Sequence, residues 1–147
     1  MPAFSKKSRT MLEQCHPDLQ KVMMEAIKIF DFSVTEGART IEKQREYYNA
    51  GKSKTMNSKH LPKYCAEYGR NYSYAIDLLP YFNTEPHVDW NDREEFTLLA
   101  GIILGIAKQL REQGKIKSQI RWGGNWGLGK RIKYTAFVDM PHFEIVE

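Results

Sequence analysis

The sequence predicts an α+β domain with helices packed on one side of a small sheet. Three observations carry this. Apolar residues recur at helical spacing in two long stretches, and short β-type runs stand between and after them. The segments follow the order helix, strand, helix, strands, helix, strands, which suits helices laid against one sheet. At 147 residues the chain has the length of one domain, spanning 1–147, and can bury a sizeable core.

His16-Pro17-Asp18 reads as a helix start. Pro17 is preset for the first turn, and Asp18 meets the positive end of the helix dipole. Leu19, Val22, Met23, Ala26, Ile27 and Phe30 follow as one apolar stripe, which faces a core and not a cofactor. Phe32 to Thr35 is a short strand, and Gly37 marks a turn. Thr40 caps a helix that runs through about Ala50 and that Gly51 ends. Residues 52–74 read as one long loop, a length usually functional or disordered.

Ala75 to Leu79 is a buried strand stopped by Pro80. A second long helix begins near Asn91 and reaches Gln113, with Gly114 just past its end. Its apolar face carries Phe96, Leu99, Ala100, Ile103, Ala107 and Leu110. Ile120 to Trp122 and Phe143 to Val146 are two further strands.

The composition, 41% hydrophobic and 27% charged, is that of a globular protein in water. There is no internal repeat and no low-complexity segment. No apolar run approaches the roughly 20 residues that span a bilayer, so stable membrane insertion is not expected. The start, MPAFSKKSRT, lacks the apolar segment of a signal peptide, so folding in the cytoplasm is expected. Cys15 and Cys65 are then free thiols, and neither has the CxxC spacing of a thiolate zinc site.

A net charge of +4 favours anionic partners: nucleic acid, acidic lipid or a wall polymer. The cations are spread over Lys6-Lys7, Lys52-Lys54, Arg111-Lys117 and Lys130-Lys133, and each cluster reads most simply as solvated surface. No helix concentrates basic residues and no aromatic RNA-binding signature is present, so a nucleic-acid partner is not expected.

Four histidines are available for chemistry. His16 precedes a helix-starting proline and His87 follows Pro86 in a polar loop, so both read as surface residues. His142 lies in VDMPHFEIVE, with Asp139 three residues upstream. On a strand, His142 and Glu144 share a face. His60 and Asp77 bracket a stretch crowded with tyrosine and basic residues. His60, Asp77 and His142 would give three ligands with an open fourth position, and Asp139 or Glu144 could take a proton from water. Spacing alone leaves the alternative open: a loop histidine and a strand-end carboxylate that never meet.

Four segments narrow this. SKH at 58–60 with AIDLLP at 75–80 resembles a split SxHxxGxAxD motif, and DMPHFEIV at 139–146 resembles a closing DxxH segment. GART at 37–40 resembles an arginine-bearing GxRT turn, and RWGGNW at 121–126 is similar to the strand and turn before the closing motif. In this order they resemble the family of zinc D-Ala-D-Ala carboxypeptidases and dipeptidases and L-alanyl-D-glutamate endopeptidases of phage and bacilli. The chain is most similar to the single-domain phage endolysins of the endopeptidase branch.

The resemblance implies a small antiparallel sheet carrying the zinc, as in the hedgehog and D-Ala-D-Ala peptidase fold. It implies His60, Asp77 and His142 as zinc ligands and Asp139 as general acid and base. It sets Arg39 over the substrate, with Ser58, Trp122 and Trp126 as further substrate contacts, Ser58 alternatively supporting the metal-binding loop. Glu144 becomes an orienting partner and not a fourth ligand. Two imidazoles and one carboxylate leave Zn²⁺ with residual positive charge, enough to lower the pKa of bound water from 15.7 toward roughly 7. Arg39 supplies a fixed cation or a carboxylate clamp; apart from the motif, it reads as a structural ion pair with a turn carboxylate.

Two departures stand out. The motif steps seven residues from histidine to aspartate, whereas here the step is seventeen (77 − 60), which implies about ten inserted residues in LPKYCAEYGRNYSY. Asn125 stands where related endopeptidases often carry aspartate, a change expected to touch turn structure or substrate contact and not zinc.

The implied activity is hydrolysis of the L-alanyl-D-glutamate bond in the stem peptide of bacterial peptidoglycan, by a monomer held in the host cytoplasm until lysis. A D-Ala-D-Ala carboxypeptidase of the same family is the alternative enzyme. A non-catalytic zinc-bearing wall-binding module is the alternative from another class, and the presence of Asp139 argues against it, since a binder needs no base.

Overall fold

A computed structural model describes residues 2–128, 130–135 and 138–147. The chain opens with α1, Lys6–Glu13, which the sequence reading did not anticipate. Its pattern is faint because Ser8 and Leu12 are its only buried residues. Ser5 supplies the cap, accepting the Ser8 N–H at 3.1 Å.

The second helix, α2, covers Pro17–Ala26, and His16 is its cap: Nδ1 accepts the Asp18 N–H at 3.0 Å. His16 is therefore not the surface residue expected. It is 5% exposed, with the rings of Tyr68, Tyr72 and Tyr74 around it and Cys65 Sγ 3.6 Å from Nε2. Burial lowers its pKa, which keeps the ring neutral and able to accept. The Asp18 carboxylate does more than meet the dipole. It accepts the N–H groups of Lys117 and Ser118 and the Ser118 hydroxyl, pinning the segment ahead of a later strand.

Strand β1 is Phe32–Glu36, and α3 is Ile41–Asn49, capped by Thr40 as expected. The long loop expected over 52–74 contains a hairpin, β2 Lys63–Cys65 and β3 Arg70–Tyr72, turning at Gly69 with φ +68°. Each of these strands buries only its last residue, Cys65 or Tyr72, so no apolar run marked them in the sequence. Strand β4 is Ala75–Pro80, α4 is Arg93–Glu112, β5 is Ile120–Trp122 and β6 is His142–Ile145. No helix among the described residues is long and apolar enough to cross a membrane.

Four strands form one antiparallel sheet in the order β1-β4-β6-β5. Strand alternation divides most of its residues between two faces. Val34, Ile76, Leu78, Phe143, Ile145, Ile120 and Trp122 join Leu12 of α1, Leu19, Val22 and Met23 of α2, and Phe96, Leu99 and Ile103 of α4 in one core. The α+β expectation, a small antiparallel sheet with helices on one side, describes these layers. Helix α3 differs: its buried residue is the polar Gln44, and it adds nothing to the apolar core.

The other sheet face carries the chemistry. Register places Asp77 opposite both Glu36 and His142, and Glu144 opposite both Ala75 and Arg121. Asp77, His142 and Glu144 alternate with Ile76, Phe143 and Ile145 of the core, so the alternation of β4 and β6 brings the polar groups together.

Candidate metal centre

Two strands and one loop bring the donor atoms together. Asp77 in β4 and His142 in β6 are cross-strand partners, and His142 Nδ1 lies 3.1 Å from Asp77 Oδ1. His60 arrives from the loop after α3, with Nε2 3.0 Å from the same oxygen. Ligand atoms of His60, Asp77 and His142 all lie within 4.8 Å of one another, the one such cluster among the described residues.

The far nitrogens are also held. His60 Nδ1 is 2.8 Å from the Gly37 carbonyl, so that nitrogen donates and Nε2 presents its lone pair. His142 Nε2 is 2.8 Å from Glu144 Oε1, so with a metal bound Nε2 would donate there and Nδ1 would offer its lone pair. The two histidines thus present opposite nitrogens to the same point. Two such imidazoles and one carboxylate are the donor set of a catalytic zinc site, and the residues fit that ion.

The loops are built for this approach. Ser58 Oγ accepts the His60 N–H at 3.1 Å, and the Arg39 N–H donates to the His60 carbonyl at 2.8 Å. A Cβ on Gly37 would collide with the Met11 carbonyl oxygen. Gly123 allows the end of β5 to lie against the Asp139–His142 turn, where a side chain would strike the Asp139 backbone.

Electrostatics follow from burial and pairing. Burial raises the Asp77 carboxyl, but His60 and His142 outweigh it and hold the group below the usual carboxylate range. Burial alone would lower His142; its bonds to Asp77 and Glu144 push it up to about 9 in the metal-free protein. Glu144, raised by burial, is drawn down to about 2 by His142 and Arg121. Asp139 moves the other way. Burial, then the charge of Asp77, raises its pKa, and its Oδ2 stands 3.9 Å from His142 Nδ1.

The remaining expected residues divide. Arg39 makes an ion pair with Glu36, donates to Gln44 Oε1 at 2.6 Å and lies over the Tyr47 ring, so the turn ion pair is present. Its charge is nonetheless felt at Asp139. Trp126 is half-buried beside the centre, its ring 5.8 Å from that of His142. Trp122 does not fit a substrate contact: it is 2% exposed, packs in the core and donates Nε1–H to the Met140 carbonyl at 2.7 Å. It sits on the opposite side of β5 from Arg121, a consequence of strand alternation that the motif hides.

Sequence reasoning missed Glu36, Lys59 and Arg121. Glu36 Oε1 lies 3.7 Å from His60 Nδ1, and Arg121 and Lys59 both reach Glu144. Glu36 and Arg121 are related to the centre only by strand register, which is not written in local spacing, whereas Lys59 stands directly before His60 within SKH.

Fold and site together define a class: an α+β domain whose sheet presents two histidines and a carboxylate, with a further carboxylate alongside, the groups a hydrolytic metal centre uses. The model of the family described as phage L-alanyl-D-glutamate peptidase matches residues 2–146. The chain is 30% identical over 153 residues to the L-alanyl-D-glutamate peptidase of Escherichia phage T5, with 97% of each covered. Its structure is similar to the crystal structure of the Serratia marcescens L-Ala D-Glu endopeptidase ChiX, with a TM-score of 0.73 and 26% identity over 99% of this chain and 91% of that one. The chain belongs to the phage L-alanyl-D-glutamate peptidase family.

Proposed function

We propose that this protein is a zinc-dependent endolysin that hydrolyses the L-alanyl-D-glutamate bond of the peptidoglycan stem peptide. The observation that carries the reading is the convergence of His60 Nε2, Asp77 Oδ1 and His142 Nδ1 beside a carboxylate, Asp139, in a member of this peptidase family. The three convergent residues would hold zinc. Bound there, the ion acts as a Lewis acid, acidifying water and polarising a carbonyl.

The chain's own residues do the rest. Asp139, its pKa raised by burial and by the charge of Asp77, accepts the proton of the attacking water and returns it to the departing amine. Gly37 and Glu144 fix the imidazole rings of His60 and His142. Arg39, immobilised by Glu36, Gln44 and Tyr47, offers a stationary cation to developing negative charge or to a substrate carboxylate. Ser58 holds the His60 loop, and Trp126 forms a wall for the stem peptide.

The same reading makes the whole chain one catalytic domain, acting as a monomer. It accumulates in the host cytoplasm and reaches peptidoglycan at lysis, helped toward an anionic wall by its positive charge.

Mass spectrometry of purified peptidoglycan incubated with the protein, with and without a zinc chelator, tests the proposal. Chelator-sensitive release of stem peptides beginning with glutamate is expected. Loss of terminal D-alanine alone would replace the endopeptidase reading with a carboxypeptidase one. Absence of any cleavage by zinc-loaded protein would leave a wall-binding module.

A further inference from the structure

Arg121 joins two parts of the centre that share no backbone. Its Nη2 donates to Glu144 Oε2 at 2.7 Å, and the other oxygen of that carboxylate lies 2.8 Å from His142 Nε2. Antiparallel register sets Arg121 directly across from Glu144. The guanidinium also lies over the Trp126 ring, 5.5 Å from its centroid, and that ring is 5.8 Å from the His142 ring. His142, Glu144, Arg121 and Trp126 therefore close a circuit.

The circuit answers a weakness in the His142 side of the centre. The partner of His60 Nδ1 is the Gly37 carbonyl, which the backbone fixes. The partner of His142 Nε2 is a side-chain carboxylate with another cation near it, for Lys59 Nζ stands 3.4 Å from Glu144 Oε2. Lys59 also bonds the Ile145 carbonyl and lies 3.9 Å from Glu147, on a long stem with rotational freedom. A carboxylate following Lys59 would leave Nε2 without its acceptor and the ring free to turn Nδ1 away. Arg121, planar and anchored on a strand, removes that freedom.

We propose that Arg121 is a positioning residue for the metal centre. It holds Glu144 and Trp126 so that His142 keeps Nδ1 directed at the point where His60 and Asp77 converge, and it thereby sets metal affinity. This rests on the zinc-peptidase reading above. Partners of metal-ligating histidines commonly change metal affinity about 10- to 100-fold when lost, and Arg121 acts one bond further out through such a partner.

Zinc competition against a chelating dye, and the visible spectrum of the cobalt-substituted protein, read this directly. Arg121→Ala should weaken zinc about 10-fold or more and alter the cobalt bands. Arg121→Lys should recover part of the affinity, restoring the charge but not the planar guanidinium over Trp126. Should the alanine variant fail to fold, Glu144→Gln breaks the same link to Arg121 while keeping an acceptor for His142, and should weaken zinc likewise. A folded Arg121→Ala or Glu144→Gln with wild-type affinity and cobalt spectrum overturns the inference and leaves the centre standing. Wild-type protein that takes up neither metal overturns the zinc reading and this inference together.

Discussion

His60 Nε2 lies 3.0 Å from Asp77 Oδ1 although the two stand seventeen positions apart in the chain. The intervening chain is closed at its base, where the Tyr74 N–H donates to the Lys59 carbonyl at 2.9 Å. Only beyond that bond does the chain run into the β2–β3 hairpin, so the ligand spacing does not depend on the hairpin. Replacing residues 62–72 by a short glycine-containing turn should leave zinc stoichiometry intact and change activity on whole peptidoglycan more than on a short stem peptide. The melting temperature should fall, because Cys65 and Tyr72 are buried in the hairpin's seat around His16. Metal analysis with cleavage assays on both substrates checks this; loss of zinc on shortening would show that the hairpin holds the ligands in place.

Asp139 stands close enough to the centre to handle a proton and is not among the three convergent donors. Asp139→Asn should therefore lower kcat by about 10²- to 10⁴-fold while zinc content stays at the wild-type level. Full turnover in that variant would remove Asp139 from the mechanism.

His60→Ala and His142→Ala should behave differently, losing metal and turnover together. Dialysis of wild-type protein against a chelator should reproduce that loss, and added zinc should restore activity. Stoichiometric zinc retained by either alanine variant, measured by elemental analysis, would mean that the ligand set is wrong.

These residues were unequally legible in the sequence. The apolar stripes of α2 and α4 fixed the helical layer because a helix repeats its signal over several turns. The motif segments located His60, Asp77, Asp139 and His142, and the structure brings all four together. Arg121 and Glu36 were invisible for a physical reason: they meet the centre across strands, through register set by packing on the far side of the sheet. His16 misled because its neighbours, Pro17 and Asp18, explain a helix start fully, while the tyrosines that bury it lie more than fifty residues on. The hairpin buries only one residue in each strand, so no apolar run declared it.

Buried His16 makes folding sensitive to acid. Burial lowers its pKa from the ordinary value near 6.5, opposed by the charges of Asp18 and Glu67. Below about pH 6.5 the unfolded chain takes up a proton that the folded ring resists, so stability falls as pH drops; above it this group's contribution is fully present. The slope from one such group reaches at most about 1.4 kcal/mol per pH unit. His16→Asn, which keeps a capping acceptor, should flatten the fall of urea-denaturation stability below about pH 6.5 relative to wild type. Parallel curves for the two proteins would mean that His16 does not resist protonation.

Trp122 and Trp126 lie four residues apart in one motif, yet strand geometry gives them separate work. Trp122 is enclosed by the core, donates its indole N–H to the Met140 carbonyl, and has Gly124 pressed so closely on its ring that no side chain fits there. Trp122→Ala should cost about 3–5 kcal/mol of stability, from lost burial and the cavity left behind. Its effect on turnover should follow unfolding, because Met140 sits in the turn that carries Asp139 to His142. Trp126 is half-buried beside the His142 ring, under the Arg121 guanidinium. Trp126→Ala should keep a melting temperature near wild type and raise KM for stem peptides. Thermal melts and steady-state kinetics on the two variants separate these roles. Equal destabilisation with unchanged KM would make Trp126 a packing residue as well, and would leave the substrate wall to be found elsewhere around the centre.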